Sequence, residues 1–570
     1  MPTARRRGPR LTGALIALAA MGVPAGAAQD VAPRIATSPA GSSLMVTFRD
    51  APSDAMAHAR LGGIGVVAPV TPEAGVWSVT GPANVTMRAR ALRQPGVEAA
   101  EWALVRRTDE RRAQAQRTPP PPPQPLAPVA APTDTYYASQ RQWALFPPAT
   151  TWGVDLTGTP PRPRIAILDS GIDSTHPEWS GPNSPLVRPW SAWTGRESAE
   201  DWGKTGHGTH VAGSAAAPIN GRGVVGTAPG AVGIAEVIPV QISDRDGYST
   251  DATMMKGIRW AVRNGAKVIN ISAGGVGDTL AFQRVIDWAF TNGALIIASV
   301  GNDGQDYGVL NYPAGYWNVL GVAAQCSSAT NTTDCPSPYG LARFSNRNRS
   351  VDLVAPGVDI VSSVPPRVTQ GAIAPGYAIK EGTSMAAPFV AGVAALIFAA
   401  NPGATPSQVM RQLQNTATDM GGRGHDTATG AGLINPRAAI TLPLPPNDPG
   451  ESNADIIEVR TARAIVPSRP PAVVQAYIDV DNDPTDVYPV TLRKGQTVRL
   501  TLRSTSAKAR MALWLPGTRT IVGRGARPAA ATRGASTRRT LTHVATRTGR
   551  WYVSISATGG RSAYRLEVGR

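Results

Sequence analysis

Buried strands alternate with amphipathic helices through the middle of the chain. Five short runs are apolar at consecutive positions, as is typical of strands covered on both faces; they are residues 164–168, 237–242, 267–272, 294–300 and 319–323. Residues 250–264 instead carry apolar side chains at helical spacing, with an N-cap at Ser249 or Thr250 and Gly265 as the stop. This alternation predicts an α/β fold with a mainly parallel sheet, whose chemistry lies where loops leave the carboxyl ends of the strands.

Different patterns flank this central segment of residues 134–442. Residues 42–107 read as a small α/β unit of the order β-α-β-α-β, and a proline-rich linker follows over residues 108–133. Residues 452–570 contain seven strand-like runs separated by turn residues, without a helical period, and predict a β-sandwich. The chain is therefore expected to fold as several units.

The N-terminus has the pattern of a secretory signal. Four arginines precede an apolar run at residues 11–23, and small residues follow at 25–27. We expect a signal peptide over residues 1–28, with an amphipathic terminal helix as the alternative. No later stretch reaches the roughly 18 uninterrupted apolar residues that a spanning helix needs. With the export signal, the expected location is extracellular, with the periplasm as an alternative.

Charge and cysteine content add two expectations. The formal net charge is +17, and residues 493–570 hold 17 Lys and Arg against a single acid, Glu567. This basic end either attracts anionic cell-surface polymers or is a solvated Arg-rich face; no nucleic-acid partner is expected. The two cysteines, Cys326 and Cys335, form a disulfide in an oxidising compartment or remain two free thiols.

Three short motifs carry the groups needed for acyl transfer. Asp169 ends an apolar strand, His207 lies in Gly-His-Gly-Thr-His at the start of a helix, and Ser384 lies in Gly-Thr-Ser-Met-Ala-Ala-Pro at the start of another. A serine hydroxyl needs an adjacent base to become nucleophilic, and the base needs a carboxylate that holds it in one tautomer. We expect Ser384 as nucleophile, His207 as base and Asp169 as its partner.

An oxyanion also needs donors that are already in place. Asn302, just after an apolar strand, offers a side-chain amide, and the Ser384 backbone N–H offers a second donor. We expect structural rather than catalytic roles for three titratable residues near these motifs. Asp173 follows a glycine turn, His176 reads as a loop residue, and His210 is expected to hydrogen-bond locally.

The order Asp, His, Ser with these surroundings resembles the subtilisin family of serine endopeptidases, over residues 134–442. The resemblance implies a subtilisin-like three-layer sandwich with a mainly parallel sheet. It also implies a cleft in which one wall pairs with the substrate like an added strand. The residues it assigns to the two walls are Ser272, Ala273 and Gly274 on one side and Ser299, Val300 and Gly301 on the other. The bulk of Val300 leaves the size of the specificity pocket open.

The flanks extend the resemblance. Residues 42–107 look similar to the family's inhibitory propeptide, which implies a self-inhibited precursor cleaved between residues 105 and 134. Residues 452–570 resemble a prepeptidase C-terminal domain. Catalysis would need no cofactor, whereas structural calcium at Glu178 and Asn220 is an open expectation. Two alternatives to an active endopeptidase are open. One is a catalytically inactive binding protein with the same fold, and the other is acyl transfer without proteolysis, such as peptide ligation or ester hydrolysis, as a side activity.

Overall fold

A computed structural model describes most of the chain. The described residues are 43–81, 85–108, 132–140, 162–229, 234–304, 309–327, 334–335, 337–422, 424–447, 459, 462–479, 484–518, 521, 527–534 and 536–570. The predicted signal peptide and nearly all of the predicted linker lie outside these residues.

The N-terminal part, residues 43–108, contains an antiparallel sheet and two helices. Its elements are β1 (Ser43–Phe48), α1 (Asp54–Leu61), β2 (Val66–Thr71), β3 (Val76–Thr80), α2 (Val85–Leu92), β4 (Val97–Trp102) and β5 (Val105–Thr108). The first four strands form a sheet in the order β2-β3-β1-β4. The expected order β-α-β-α-β was therefore wrong by two strands, because β2 was not foreseen and the last expected strand is divided into β4 and β5. β5 leaves this sheet and pairs elsewhere.

The central part, residues 162–447, is built on a seven-stranded parallel sheet in the order β14-β13-β12-β10-β6-β8-β7. Its elements are β6 (Arg164–Asp169), β7 (Trp190–Ser191), α3 (His207–Ala216), β8 (Glu236–Gln241), β9 (Tyr248–Thr250), α4 (Asp251–Arg263), β10 (Ala266–Ile271), β11 (Ala273–Gly274), α5 (Leu280–Thr291), β12 (Leu295–Ser299), β13 (Val319–Gln325), β14 (Leu353–Pro356), β15 (Ile360–Ser363), β16 (Ala372–Ala374), β17 (Tyr377–Lys380), α6 (Thr383–Ala400), α7 (Pro406–Thr416) and α8 (Pro436–Thr441). All five predicted core strands are present.

Helices cover both faces of the parallel sheet. Alternate side chains of a strand point to opposite faces, so Ile165 and Ile167 of β6 pack with α3 and α6. Ala166 and Leu168 pack with α4 and α5 on the other face. The expected three-layer sandwich is confirmed. In the described part of the chain α6 is long and apolar enough to span a bilayer, yet 94% of it is buried inside the protein as core.

The C-terminal part, residues 462–570, contains two packed antiparallel sheets. Its strands are β18 (Ala472–Asp479), β19 (Thr485–Leu492), β20 (Thr497–Ser504), β21 (Ala509–Trp514), β22 (Ala530–Ala531), β23 (Arg538–Val544), β24 (Gly549–Ala557) and β25 (Arg561–Gly569). The sheets have the orders β18-β25-β20-β23 and β19-β24-β21-β22, and inward apolar side chains such as Leu500 and Val553 form a common core. This is the expected β-sandwich.

Candidate active site

Asp169 and His207 meet at the end of β6 and the start of α3. The Nδ1 atom of His207 lies 2.8 Å and 2.9 Å from the two carboxylate oxygens of Asp169, and both side chains are buried. The Ser170 backbone N–H also donates to this carboxylate at 2.7 Å. Because the carboxylate accepts, Nδ1 carries the proton and Nε2 is the nitrogen that can act as a base.

Glycines permit the close approach of α3 to the β6 loop. Gly206, just before His207, has φ +67°, which favours glycine. A Cβ on Gly208 would lie 2.2 Å from the Gly171 carbonyl oxygen. A side chain at Gly208 would push the start of α3 away from Asp169, and one at Gly206 would lie 2.4 Å from Pro365, which explains the glycines on both sides of His207.

A second buried carboxylate, Asp201, ties the same elements together. It accepts from the hydroxyls of Ser170 at 2.8 Å and Thr209 at 2.6 Å. The Ser170 hydroxyl in turn accepts from the Gly208 N–H at 2.9 Å. Burial raises the pKa of Asp201, and these hydrogen bonds oppose the rise. Sequence reasoning missed Asp201 because it lies in a loop without a recognisable motif.

Ser384 is the second residue of α6, which packs against α3. Its hydroxyl donates to the Ser272 carbonyl at 3.1 Å, and the Ser272 hydroxyl donates to the Ser384 carbonyl at 2.8 Å. These two bonds fix the serine beside one wall of the cleft. The dipole of a helix also favours negative charge at its N-terminus, where Ser384 lies.

Asn302 lies on the other side of Ser384 and is oriented by Thr383. The amide oxygen of Asn302 accepts from the Thr383 N–H at 2.9 Å and from its hydroxyl at 3.0 Å. Since the oxygen is engaged, the amide nitrogen is the end that can donate to an oxyanion. The four residues expected to carry the chemistry thus come from four segments that meet at one end of the parallel sheet.

The cleft beside Ser384 holds a strand of the chain itself. β5 runs antiparallel to β11 on one side, with Arg107 opposite Gly274 and Thr108 opposite Ala273. It runs antiparallel to β9 on the other, with Arg106 opposite Ser249. The wall expected to pair with substrate therefore pairs here with the end of the N-terminal part.

Comparison with known proteins agrees with this geometry. The model of the subtilase family matches residues 162–432. A subtilisin from Bacillus pumilus is 36% identical over 278 residues, which are 48% of this chain and 90% of that protein. The chain belongs to the subtilase family of serine endopeptidases.

Fervidolysin from Fervidobacterium pennivorans is 37% identical to this subtilase over 301 residues, covering 49% of the chain but only 41% of fervidolysin. The crystal structure of fervidolysin, described as a keratinolytic enzyme related to subtilisin, matches with a TM-score of 0.62 at 22% identity. That match covers 91% of this subtilase and 93% of the other chain, so the likeness of fold extends well beyond the family's own segment.

The second wall of the subtilase cleft differs from expectation at Val300. Ser299 and Gly301 flank it in the chain and stay predicted wall residues, whereas the Val300 side chain has no exposed surface and belongs to the core cluster with Val319. Its bulk therefore fills core rather than the specificity pocket. Asn311, which sequence reasoning missed, lies where a Cβ on either Gly274 or Gly301 would touch it, so it stands between the two walls.

Hydrogen bonds link Asn220 to the carboxylates of Glu178 and Asp134. The Glu178 carboxylate accepts from the Asn220 amide at 3.1 Å and the Val224 N–H at 2.8 Å, and burial raises its pKa to about 7. Asp134, whose other oxygen accepts from the Asn220 N–H, has a buried oxygen, Oδ2, without a hydrogen-bond partner among the described residues. This Oδ2 atom and the buried Glu178 carboxylate are the oxygens here that fit a calcium ion, which prefers oxygen ligands. The Asn220 amide oxygen already accepts from the Arg222 N–H at 2.9 Å.

The two cysteines and His210 also have partners that the structure identifies. Cys326 and Cys335 are joined in a disulfide. His210 is buried, and its Nε2 lies 3.1 Å from the carbonyl oxygen of Ile360, 150 positions away in the chain. A local hydrogen bond was expected for this ring, so that expectation was wrong. Burial lowers the pKa of His210 well below its usual value, and a neutral, structural histidine follows.

Proposed function

We propose that this subtilase hydrolyses peptide bonds through an acyl-enzyme on Ser384 and is exported as a self-inhibited precursor. The observation that carries the proposal is β5, which occupies the cleft as an added strand between β9 and β11, next to Ser384. A cleft that pairs with extended backbone on both sides fits a polypeptide substrate rather than a small ester.

The residues would act in the following order. His207 takes the Ser384 proton as Oγ attacks the substrate carbonyl, and Asp169 stabilises the resulting imidazolium. The Asn302 amide and the Ser384 N–H donate to the oxyanion. His207 then returns the proton to the leaving amine, and a water molecule repeats the steps on the acyl-enzyme to release Ser384. Asp201 positions the His207 segment without touching the substrate.

Ion pairs support the precursor. Glu73 of the N-terminal part lies 2.8 Å from Arg259 and 3.0 Å from Arg263, both on α4. Glu98 lies 3.3 Å from Arg284 on α5. Glu101 accepts from the Ala281 N–H at the start of α5, where a carboxylate is favoured by the helix dipole. These contacts hold β5 in the cleft, so residues 42–107 would block the site until they are removed.

Export is supported by the arginine and apolar pattern of residues 1–28 and by the Cys326–Cys335 disulfide, which persists in oxidising compartments. A structural calcium ion held by Asp134 and Glu178, beside Asn220, completes the proposal; it would stabilise the fold and take no part in the reaction.

Digestion of an unfolded protein by the purified chain tests the activity. We expect wild type and the Ser180→Ala control, a change of an exposed serine, to process themselves and to fragment the substrate. Ser384→Ala should remain an intact precursor and leave the substrate whole. Fragmentation by purified Ser384→Ala would contradict the proposal.

A further inference from the structure

The propeptide strand β5 carries a fully buried arginine. The Arg106 side chain has no exposed surface. Its Nε donates to Asp251 Oδ1 at 2.7 Å, Nη1 donates to the Gly275 and Val276 carbonyls at 2.8 Å and 3.2 Å, and Nη2 donates to the Gly277 carbonyl at 2.9 Å. Every partner belongs to the central part, so the pocket persists when the N-terminal part is removed.

Asp251 gives this pocket its charge. It is the first residue of α4 and is fully buried, and among the described residues Arg106 is the cation paired with it. Burial raises the pKa of Asp251, and the charge of Arg106 opposes that rise. Truncating one member of a buried charge pair is costly because the other charge is left unpaired. A mature enzyme therefore presents a carboxylate that needs a cation.

The shape of the pocket favours arginine over lysine. One carboxylate and three carbonyls surround the side chain, and they accept from three different nitrogens of the guanidinium. A planar guanidinium has five donors in fixed directions, whereas an ammonium group has three donors at a single point. Lysine would satisfy the charge but leave some carbonyls without a donor.

The register defines which substrate residue enters this pocket. Thr108 lies opposite Ala273 and Arg107 opposite Gly274. A substrate strand in the same register places its next residue opposite Ser272, whose carbonyl lies 3.1 Å from the Ser384 hydroxyl. That residue is the first before the cleaved bond. Counting back along the substrate strand, the residue in the place of Arg106 is the fourth before the cleaved bond.

We propose that the Arg106 pocket, with Asp251 at its base, is a subsite of the mature enzyme that selects arginine at the fourth position before the cleaved bond. This inference rests on the proposed endopeptidase activity. If the precursor is cut in this register, the processing bond follows residue 109, within the segment expected to contain it.

A peptide series on the mature wild-type enzyme tests the selection. The parent is the chain's own sequence 104–112, Leu-Val-Arg-Arg-Thr-Asp-Glu-Arg-Arg, flanked by a fluorophore and a quencher. Replacing the first arginine by methionine should lower kcat/KM by about 30-fold or more, as for loss of a buried charge partner. Lysine there should give an intermediate value. Replacing the second arginine, which lies over the Tyr248 ring at 5.5 Å, is the matched control and should cost only a few-fold.

An Asp251→Asn enzyme should lose the preference for the first arginine, whereas Asp246→Asn, which removes an exposed charge, should keep it. If Asp251→Asn fails to fold, the wild-type peptide series alone decides. Equal kcat/KM for peptides with arginine and with methionine at the place of Arg106 would overturn the subsite and leave the endopeptidase intact. If wild type cleaves neither these peptides nor an unfolded protein, the proposed function fails and the subsite fails with it.

Discussion

Two carboxylates in different surroundings hold the His207 segment. Asp169 accepts from the imidazole itself, whereas Asp201 accepts from the hydroxyls of Ser170, the residue after Asp169, and Thr209, two residues after His207. Asn302 is oriented in a similar way by Thr383. The groups proposed to react are thus fixed by hydrogen bonds that exist before any substrate arrives, which is how a protein stabilises developing charge without reorganisation.

Asn302→Ala tests the oxyanion donor. We expect kcat to fall by about 10² to 10³, a range established on subtilisin, with little change in KM, because the donor acts on charge that develops in the transition state. Steady-state kinetics on a peptide substrate measures both constants. Asn292→Ala, an exposed position at the end of α5, is the control, and an equal fall in both variants would contradict the assignment.

The structure brings together the site residues that sequence reasoning took from short segments with a local signal. Asp169, His207, Ser384 and Asn302 each lie in a motif with a recognisable strand or helix beside it. Sequence reasoning failed for Asp201 and Asn311, which lie in loops without a recognisable motif. The Arg106–Asp251 pair joins positions 145 residues apart, and nothing in either local sequence indicates that the two meet.

At the level of elements, the missed strand β2 has a clear reason. It lies at the edge of the N-terminal sheet and contains Pro69. Proline cannot donate to a strand neighbour and therefore argues against a central strand, but an edge strand tolerates it. The apolar core strands β6, β8, β10, β12 and β13 were readable because burial on both faces leaves continuous apolar runs.

The contact between the N-terminal sheet and α4 yields a prediction. Glu73→Arg replaces two partly exposed ion pairs by repulsion from Arg259 and Arg263. Pairs of this kind contribute up to about 1 kcal/mol each, so the cleaved N-terminal part should leave several-fold faster. The delay between self-cleavage and full activity measures this release. Asp54→Arg, on the exposed start of α1, should keep the wild-type delay; an unchanged delay in Glu73→Arg would refute the contact.

Helix α5 carries a buried acid that makes stability depend on pH. Asp287 accepts from Gln283 and Asn318, yet burial raises its pKa to about 6. Because the unfolded chain ionises this acid near pH 4 and the folded chain only near pH 6, stability is lost as pH rises between these values.

Asp287→Asn removes this titration. In a Ser384→Ala background, which prevents self-digestion, Tm of Asp287→Asn relative to the parent should rise between pH 4 and pH 6.5. Calorimetry measures the difference, and Asp246→Asn should show no such rise because Lys204 lowers the pKa of that exposed acid. A constant difference between Asp287→Asn and its parent would contradict the shifted pKa.

At the scale of the whole molecule, three folded parts have different tasks. The N-terminal part is proposed to block the cleft and the central part to carry the chemistry, while the C-terminal sandwich holds most of the excess positive charge. Its expected attraction to anionic surfaces stays a prediction.

The proposed calcium site is tested on the whole chain. Excess chelator should lower Tm of the Ser384→Ala protein by several degrees, since a ligand that binds only the folded state stabilises it by mass action. Added calcium should restore Tm. Glu178→Gln in the same background should make Tm insensitive to both additions. A Tm of the Ser384→Ala protein that chelator leaves unchanged would rule the site out.

Covalent labelling with a fluorophosphonate probe tests the acyl-enzyme on Ser384 most directly. The processed protein should take up one probe per chain, and mass spectrometry of its peptides should place the probe on Ser384, while Ser384→Ala takes up none. Labelling at another residue, or labelling that survives Ser384→Ala, would contradict the assignment.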